Sequence, residues 1–252
     1  MPNSFNSKTI LITGGASGMG AACTRLFAEA GAHVLIVDRN ADLAAQVAAS
    51  IGAGQPLIGD VSDSAFCERA IQSAVERHGR LDVLVNAAGI IVRADALNTT
   101  DADWMNVLNV NLGGTFYMGR AAVRQMKAQG KGAIVNFGSI WGSVGGKGHV
   151  AYCASKGAVH QLTQAMALDH ARDGIRINAV CPGEVDTPML RMAGRTMRMS
   201  DEEANQMAAA VVPMGRLAHP EEIARVVLFL ASDDASYMTG ALVPVDAGFT
   251  AV

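Results

Sequence analysis

The chain has 252 residues, half of them hydrophobic and only 17% charged, with a formal net charge of −3. Such a composition suits a well-buried globular core and excludes an intrinsically disordered chain. The balance leaves no electrostatic footprint for nucleic acid or an anionic membrane surface, and without a run of about 18 apolar residues no membrane span is expected.

The N-terminal run MPNSFNSKTILITGG has no basic region, long apolar stretch or cleavage-like site, so a cytoplasmic protein is expected. The first strand, KTILIT, leads into TGGASGMG, where Gly14, Gly18 and Gly20 keep a Gly-x-x-x-Gly-x-Gly spacing and open a helix at about 18–30. Glycines let the main chain approach a pyrophosphate, and the helix N-terminus offers unpaired N–H groups. Ser17 and Met19 complete that loop. The second strand, HVLIVD, closes on Asp38, whose carboxylate would accept both ribose hydroxyls of an adenosine and repel a 2′-phosphate. NAD is therefore expected over NADP, although Arg39 follows directly.

A helix at 40–50 leads to the third strand, PLIGDV, which is expected to end at Asp60 and Val61, candidates for the adenine edge. Asp63 then caps a helix at 63–78. The fourth strand, DVLVNA, runs into NAAG at 86–89, where Asn86, Ala87 and Gly89 let the strand lie against a cofactor. The next helix is read at 101–128, capped by Asp101, broken near Gly113 and Gly114, and carrying Asn111. After the fifth strand, GAIVNFG, come Ser139 and a helix at 150–172 with Tyr152 and Lys156 one turn apart. Residues at i and i+4 share a helix face, so phenol and ammonium can share one small volume. A free tyrosine titrates near pH ~10, and reaching neutrality takes about 4 kcal/mol, for which the adjacent cation is a source.

The sixth strand, RINAVCP, ends at Pro182 and Gly183. The methionine-rich stretch at about 187–214 leaves the carboxyl end of that strand, where a substrate lid would sit. A helix opened by Pro220 at 220–232 and a seventh strand, ALVPVDA, follow. Near-continuous apolar strands alternating with helices predict one α/β domain over 1–252, a doubly wound seven-stranded parallel sheet with helices on both faces. Cys23, Cys67, Cys153 and Cys181 are far apart and no histidine stands at metal-ligand spacing, so reduced thiols and no metal are expected. Arg191, Arg195 and Arg198 read as a solvated helix face.

With TGGASGMG, Asp60, NAAG, Asn111, Ser139, Tyr152, Lys156 and Pro182-Gly183 in order, the chain resembles the classical short-chain dehydrogenase/reductase family over essentially its whole length. The resemblance implies a Rossmann sheet carrying a nicotinamide cofactor and a site of Asn111, Ser139, Tyr152 and Lys156. Tyr152 would exchange the proton with the substrate oxygen and Ser139 would hydrogen-bond that oxygen. Lys156 would hold the nicotinamide ribose and lower the phenol's pKa, and Asn111 would anchor a water linking the lysine to solvent. Val185 and Thr187 join the cofactor set, Thr187 as a donor to the carboxamide. Ala247 stands where many relatives carry a glycine. A homotetramer built through the helices at 101–128 and 150–172 and through the last strand and helix is also implied.

Substrate contacts are expected from Arg93, Trp141, His149 and Glu184, polar positions that suit a hydroxylated or acidic molecule. NAAGIIVRADAL resembles the same segment in family members acting on sugar acids and polyols. The expected activity is NAD-dependent interconversion of a secondary alcohol and a ketone on a small polar substrate. An NADPH-dependent 3-oxoacyl-thioester reductase is disfavoured by Asp38 and by the lack of a basic patch for an acidic carrier. A non-catalytic dinucleotide sensor is disfavoured by the intact Asn, Ser, Tyr and Lys set.

Overall fold

The computed structural model describes residues 5–52, 54–192 and 198–251. Seven parallel strands are present among them: β1 (Thr9–Thr13), β2 (His33–Asp38), β3 (Gln55–Ile58), β4 (Val83–Asn86), β5 (Gly132–Phe137), β6 (Ile175–Pro182) and β7 (Leu242–Val245). The helices between them are α1 (Gly18–Glu29), α2 (Ala41–Ser50), α3 (Ser64–His78), α4 (Asp101–Leu108), α5 (Gly114–Gln129), α6 (Val150–His170), α7 (Pro188–Met192), α8 (Asp201–Val211) and α9 (Pro220–Ala231). The strand order β3-β2-β1-β4-β5-β6-β7 reverses between β1 and β4, which opens a crevice at their carboxyl ends.

Alternation along each strand divides the core into two layers. Ile10, Ile12, Val34, Ile36, Val83 and Val85 pack with Phe27 of α1 and Ile223, Val227 and Leu230 of α9. Leu11, Leu35, Val37, Leu84 and Ile134 face the other way, against Ile71 and Ala74 of α3 and Met118 and Met126 of α5. Both faces are covered, as the continuous apolar strands require. No helix among the described residues is long and apolar enough to cross a membrane. The four cysteines are free thiols, three of them buried.

Several boundaries differ from expectation for local reasons. β3 stops at Ile58, so Asp60 and Val61 lie beyond its end in a turn where the Asp60 carboxylate accepts the Ser62 N–H at 2.8 Å. β3 is an edge strand with one alternating exposed face, which tolerates Pro56. Asp63 caps α3 as expected, accepting the Ala65 N–H, but α4 is capped by Thr100, whose hydroxyl accepts the Asp103 N–H, and Asp101 is its first helical residue. The expected break at Gly113 and Gly114 is instead a π-helical turn, Asn109–Gly113, that joins α4 to α5 without interruption.

The 187–214 stretch is not one helix. α7 and α8 carry it, while 193–197, including Arg195, lies outside the described residues. Arg191 is not on a solvated face. It is buried, pairs in bidentate fashion with Asp186 at 2.6 and 2.7 Å, reaches Asp201, and donates to the carbonyls of Met199 and Ser200. Beyond β7 the chain turns with Ala247 in the left-handed region (φ 56°), held by the Asp246 carboxylate accepting the N–H groups of Gly248 and Thr250.

Candidate active site

The glycine loop lies over the crevice between β1 and β4. Gly14 adopts φ +64°, and a Cβ there would come within 2.9 Å of the Ala88 backbone. A Cβ on Gly20 would enter the Gly14 carbonyl oxygen. Thr24 donates to the Gly15 carbonyl, and the Asp38 carboxylate accepts the Ala16 N–H at 3.2 Å, so loop and ribose-binding candidate are braced together. The N-terminus of α1 carries no acidic residue and no side-chain cap, which leaves its N–H groups for a ligand.

A cavity of about 240 Å³ opens here. Gly14, Ser17, Gly18, Met19 and Gly20 line one side, Asp38, Asp60 and Val61 another, and Ala87, Gly89 and Thr187 the floor and far end. Hydrogen bonds from Ser62 hold the Asp60 carboxyl below its ordinary pKa. Arg39 lines the same cavity. Asn86 does not reach it: this residue is buried in the sheet, its amide donating to Asn136 at 3.0 Å, with Oδ1 unpartnered. Pro182, Gly183 and Val185 face a second cavity of about 380 Å³, which shares Met19, Thr187 and Met189 with the first. The two form one groove. A glycine-rich diphosphate cradle, a carboxylate for a ribose and a lysine whose Nζ lies 3.8 Å from where a Cβ on Gly89 would stand fit a nicotinamide dinucleotide.

Tyr152 and Lys156 project from one face of α6, both largely buried. Lys156 Nζ donates to the Phe137 carbonyl at 2.7 Å and lies 5.6 Å from the centre of the Tyr152 ring. Its other two hydrogens are available toward Gly89 and the groove. Burial lowers the Lys156 pKa to about 8. Burial also pushes the Tyr152 phenol up to about 12, against a hydrogen bond with Ser139 that lowers it, and the negative charge of Glu184 adds to the rise. In the protein's own field burial outweighs the hydrogen bond from Ser139.

Ser139 follows β5 and caps a short 3-10 turn, Ile140–Gly142, its hydroxyl accepting the Trp141 N–H at 3.2 Å. Its own N–H donates to Nε2 of His160 at 3.4 Å, and the Cys181 thiol lies 3.3 Å from the same nitrogen. Gly138 and Gly142 pack directly on this buried ring. His160 thus supports the Ser139 loop from beneath, a role with no signature in the sequence because it depends on packing between α6 and β5.

Asn111 sits in the π-helical turn. Its side chain accepts the Ile90 N–H at 2.8 Å and donates to the Ile90 carbonyl and to the Ser155 hydroxyl, both at 3.0 Å. Both amide hydrogens are used, and its main-chain carbonyl accepts the Thr115 hydroxyl. The side chain therefore ties the segment after β4 to α6.

The second cavity brings together Arg93, Trp141, His149 and Glu184 with Ser139 and Tyr152. An isolated bridge pairs Ala94 with His149, which sets Arg93 3.5 Å from His149 Nε2. His149 Nδ1 lies 2.7 Å from the Lys147 carbonyl, so that nitrogen carries the proton. The His149 ring stacks on Trp141 at 5.7 Å, and Phe249 meets Trp141 edge-on at 5.4 Å. Leu190, Met207, Val211 and Phe249 add an apolar wall that motif reading missed. Burial raises the Glu184 pKa, with Arg93 opposing.

A family model described as enoyl-(acyl carrier protein) reductase matches residues 14–250. The chain is 42% identical over 249 residues to a meso-2,3-butanediol dehydrogenase of Serratia marcescens, covering 98% of this chain and 96% of that protein. It is 43% identical over 244 residues to an L-tagatose-forming galactitol 2-dehydrogenase of Cereibacter sphaeroides, covering 95% and 93%. The crystal structure of a levodione reductase superposes with a TM-score of 0.92 at 33% identity, covering 98% of this chain and 99% of that one. Likeness along essentially the whole length, in sequence and in fold, means that the chain belongs to the classical short-chain dehydrogenase/reductase family and is an oxidoreductase of the alcohol dehydrogenase and ketoreductase kind, working with a nicotinamide dinucleotide.

Proposed function

We propose that this protein interconverts a secondary alcohol and a ketone on a small polar substrate, a polyol, sugar or sugar acid, with NAD as its dinucleotide. The observation that carries this is the meeting of Tyr152 and Ser139, with the polar side chains of Arg93, His149 and Glu184, in a cavity that shares Met19, Thr187 and Met189 with the dinucleotide groove. A bound nicotinamide dinucleotide would supply the hydride acceptor for oxidation and the hydride donor for reduction. Ser139 donates to the reacting oxygen and orients it. Tyr152 takes the hydroxyl proton in oxidation and gives it back in reduction. Lys156 holds the nicotinamide ribose with the hydrogens that Phe137 does not use, and Asn111 keeps α6 in register with the segment after β4. The 187–214 stretch acts as the substrate lid, its α7 and α8 side chains closing the apolar wall. A screen of polyols, sugars, sugar acids and hydroxy acids with NAD, followed by NADH absorbance, tests the reading; no turnover with any secondary alcohol would end it.

Asp38 is the basis for NAD. A ribose phosphate would meet its carboxylate and, among the described lining residues, only Arg39 as a cation. Asp38→Ala together with Ser17→Arg is expected to shift the ratio of kcat/KM for NADP over NAD upward by about 100-fold or more, since removing a repulsion and adding a charge-assisted contact are each worth about 1.5–3 kcal/mol. Ser17 makes no capping bond, so the loop keeps its shape. An unchanged ratio in steady-state kinetics would remove this account of selectivity.

The raised phenol pKa fixes the sign of the pH dependence. Oxidation needs the phenolate, so its kcat/KM is expected to climb about tenfold per pH unit through neutrality, while reduction, which needs the phenol, stays flat up to about pH 10. Initial rates in both directions from about pH 6 to about pH 10 check this, and a flat oxidation limb would contradict it.

We also place the protein in the cytoplasm, in keeping with its free thiols, and assign it a homotetramer. Trp104 and Met105 on α4, Phe116 on α5 and Leu168 on α6 are exposed apolar side chains on the helices expected to pair. A monomer in light scattering at micromolar concentration would contradict the assembly.

A further inference from the structure

Glu184 follows the Pro182-Gly183 turn at the end of β6 and lines the substrate cavity, near enough to Tyr152 for its charge to act on the phenol. Among the described residues no side chain or backbone group hydrogen-bonds to its carboxylate. Arg93 acts on it only through its field, and turns its guanidinium toward His149 instead. The Tyr152 hydroxyl bonds with Ser139, leaving the reacting oxygen to those two groups and Glu184 beside them. An ionised carboxylate accepts hydrogen bonds and cannot donate them. Once a bound substrate has displaced water from the cavity, a half-buried acceptor without a donor is costly, and no neighbour among the described residues supplies one.

The donor therefore has to come with the substrate. Because Glu184 neighbours the phenol, the group it meets sits close to the carbinol being oxidised. A carboxylate there would be repelled, and a bare methylene would leave Glu184 unpaired. A hydroxyl satisfies both conditions. We infer that Glu184 reads a second hydroxyl adjacent to the reacting carbinol, so that the protein selects vicinal diols and α-hydroxy ketones over isolated alcohols and 2-hydroxy acids. This inference rests on the alcohol and ketone reading above and narrows it. The Trp141 and Phe249 rings leave apolar walls for the carbon skeleton.

The test compares butane-2,3-diol with butan-2-ol, two probes of one skeleton, in the wild type, Glu184→Leu and Glu184→Gln, all with NAD. In the wild type kcat/KM is expected to favour the diol by about 10- to 100-fold, the cost of leaving a polar group unpaired in a site built for it. Glu184→Leu should bring the ratio to within about threefold of one, losing on the diol and gaining on the mono-alcohol, as removal of an unpaired carboxylate requires. Glu184→Gln keeps an acceptor oxygen at the same reach and should retain most of the preference, which separates recognition from a general loss of folding. A ratio unchanged in Glu184→Leu, or a wild type that oxidises both probes equally, overturns the inference. Failure of both probes overturns it too, while turnover of other secondary alcohols would leave the broader reading standing.

Discussion

Replacing Tyr152 with Phe is expected to lower kcat by about 10²–10⁴-fold, the usual contribution of a positioned acid–base group. The substitution deletes one oxygen and little else. The phenol's partner is Ser139, whose hydroxyl keeps its bond from the Trp141 N–H, so the loop should hold its shape. Lys156 is fastened independently to the Phe137 carbonyl, so the dinucleotide dissociation constant should move by less than about threefold, well under 1 kcal/mol. Pairing turnover with a fluorescence titration of NADH therefore separates chemistry from binding. A protein that merely sensed dinucleotide would be indifferent to the change, and retention of turnover within about tenfold would sink the role given to Tyr152.

Gly20→Ala should act through binding and stability. Helix propensity alone favours alanine over glycine by about 1 kcal/mol, and Gly20 lies inside α1, so the sequence argues for stabilisation. The packing argues the opposite. The added Cβ would enter the Gly14 carbonyl, and Gly14 cannot retreat because its own Cβ position is already 2.9 Å from Ala88. A clash this severe falls at the upper end of the roughly 1–3 kcal/mol that overpacking costs, which outweighs propensity by about 2 kcal/mol and lowers Tm by about 4–8 °C in a domain of this size. Moving the loop also displaces the N–H groups at the start of α1, and the dinucleotide dissociation constant should rise by about 100-fold or more. Gly157→Ala in α6 is the control, since its Cβ would meet only the Gly142 carbonyl at 3.5 Å. There propensity wins, and a small gain in Tm is expected. Equal effects at the two positions in thermal melts would refute the steric argument.

Where local pattern decides, the sequence was legible. Each strand is a short β-branched run whose alternate residues feed two buried layers, so Ile10 and Leu11 could be assigned to opposite faces before any coordinates. The loop of Gly14, Gly18 and Gly20, the acid at the end of β2 and the Tyr152–Lys156 face of α6 follow from spacing alone. What was missed depends on contacts between elements distant in the chain. The end of β3 is set by whether β2 continues to pair with it, and Asp38↔Ile58 is the last partner. Arg191 looked solvated because a run of arginines carries no sign of the Asp186 and Asp201 carboxylates that fold around it. His160 and the α8 wall are invisible to motif reading for the same reason. The π-helical turn escaped because two adjacent glycines suggest a break, whereas the buried amide of Asn111 holds the chain helical through them.

That turn holds one more residue than an α-helical register would use. Excising a single position between Asn109 and Gly113 would give a more regular helix, and by ordinary propensity a more comfortable one. It would also swing everything downstream by about 100°, the angle between successive helical residues, carrying Met118 off the sheet and withdrawing the Asn111 clamp from Ile90 and Ser155. Regularity and competence are opposed at this point, and the chain keeps the irregular form.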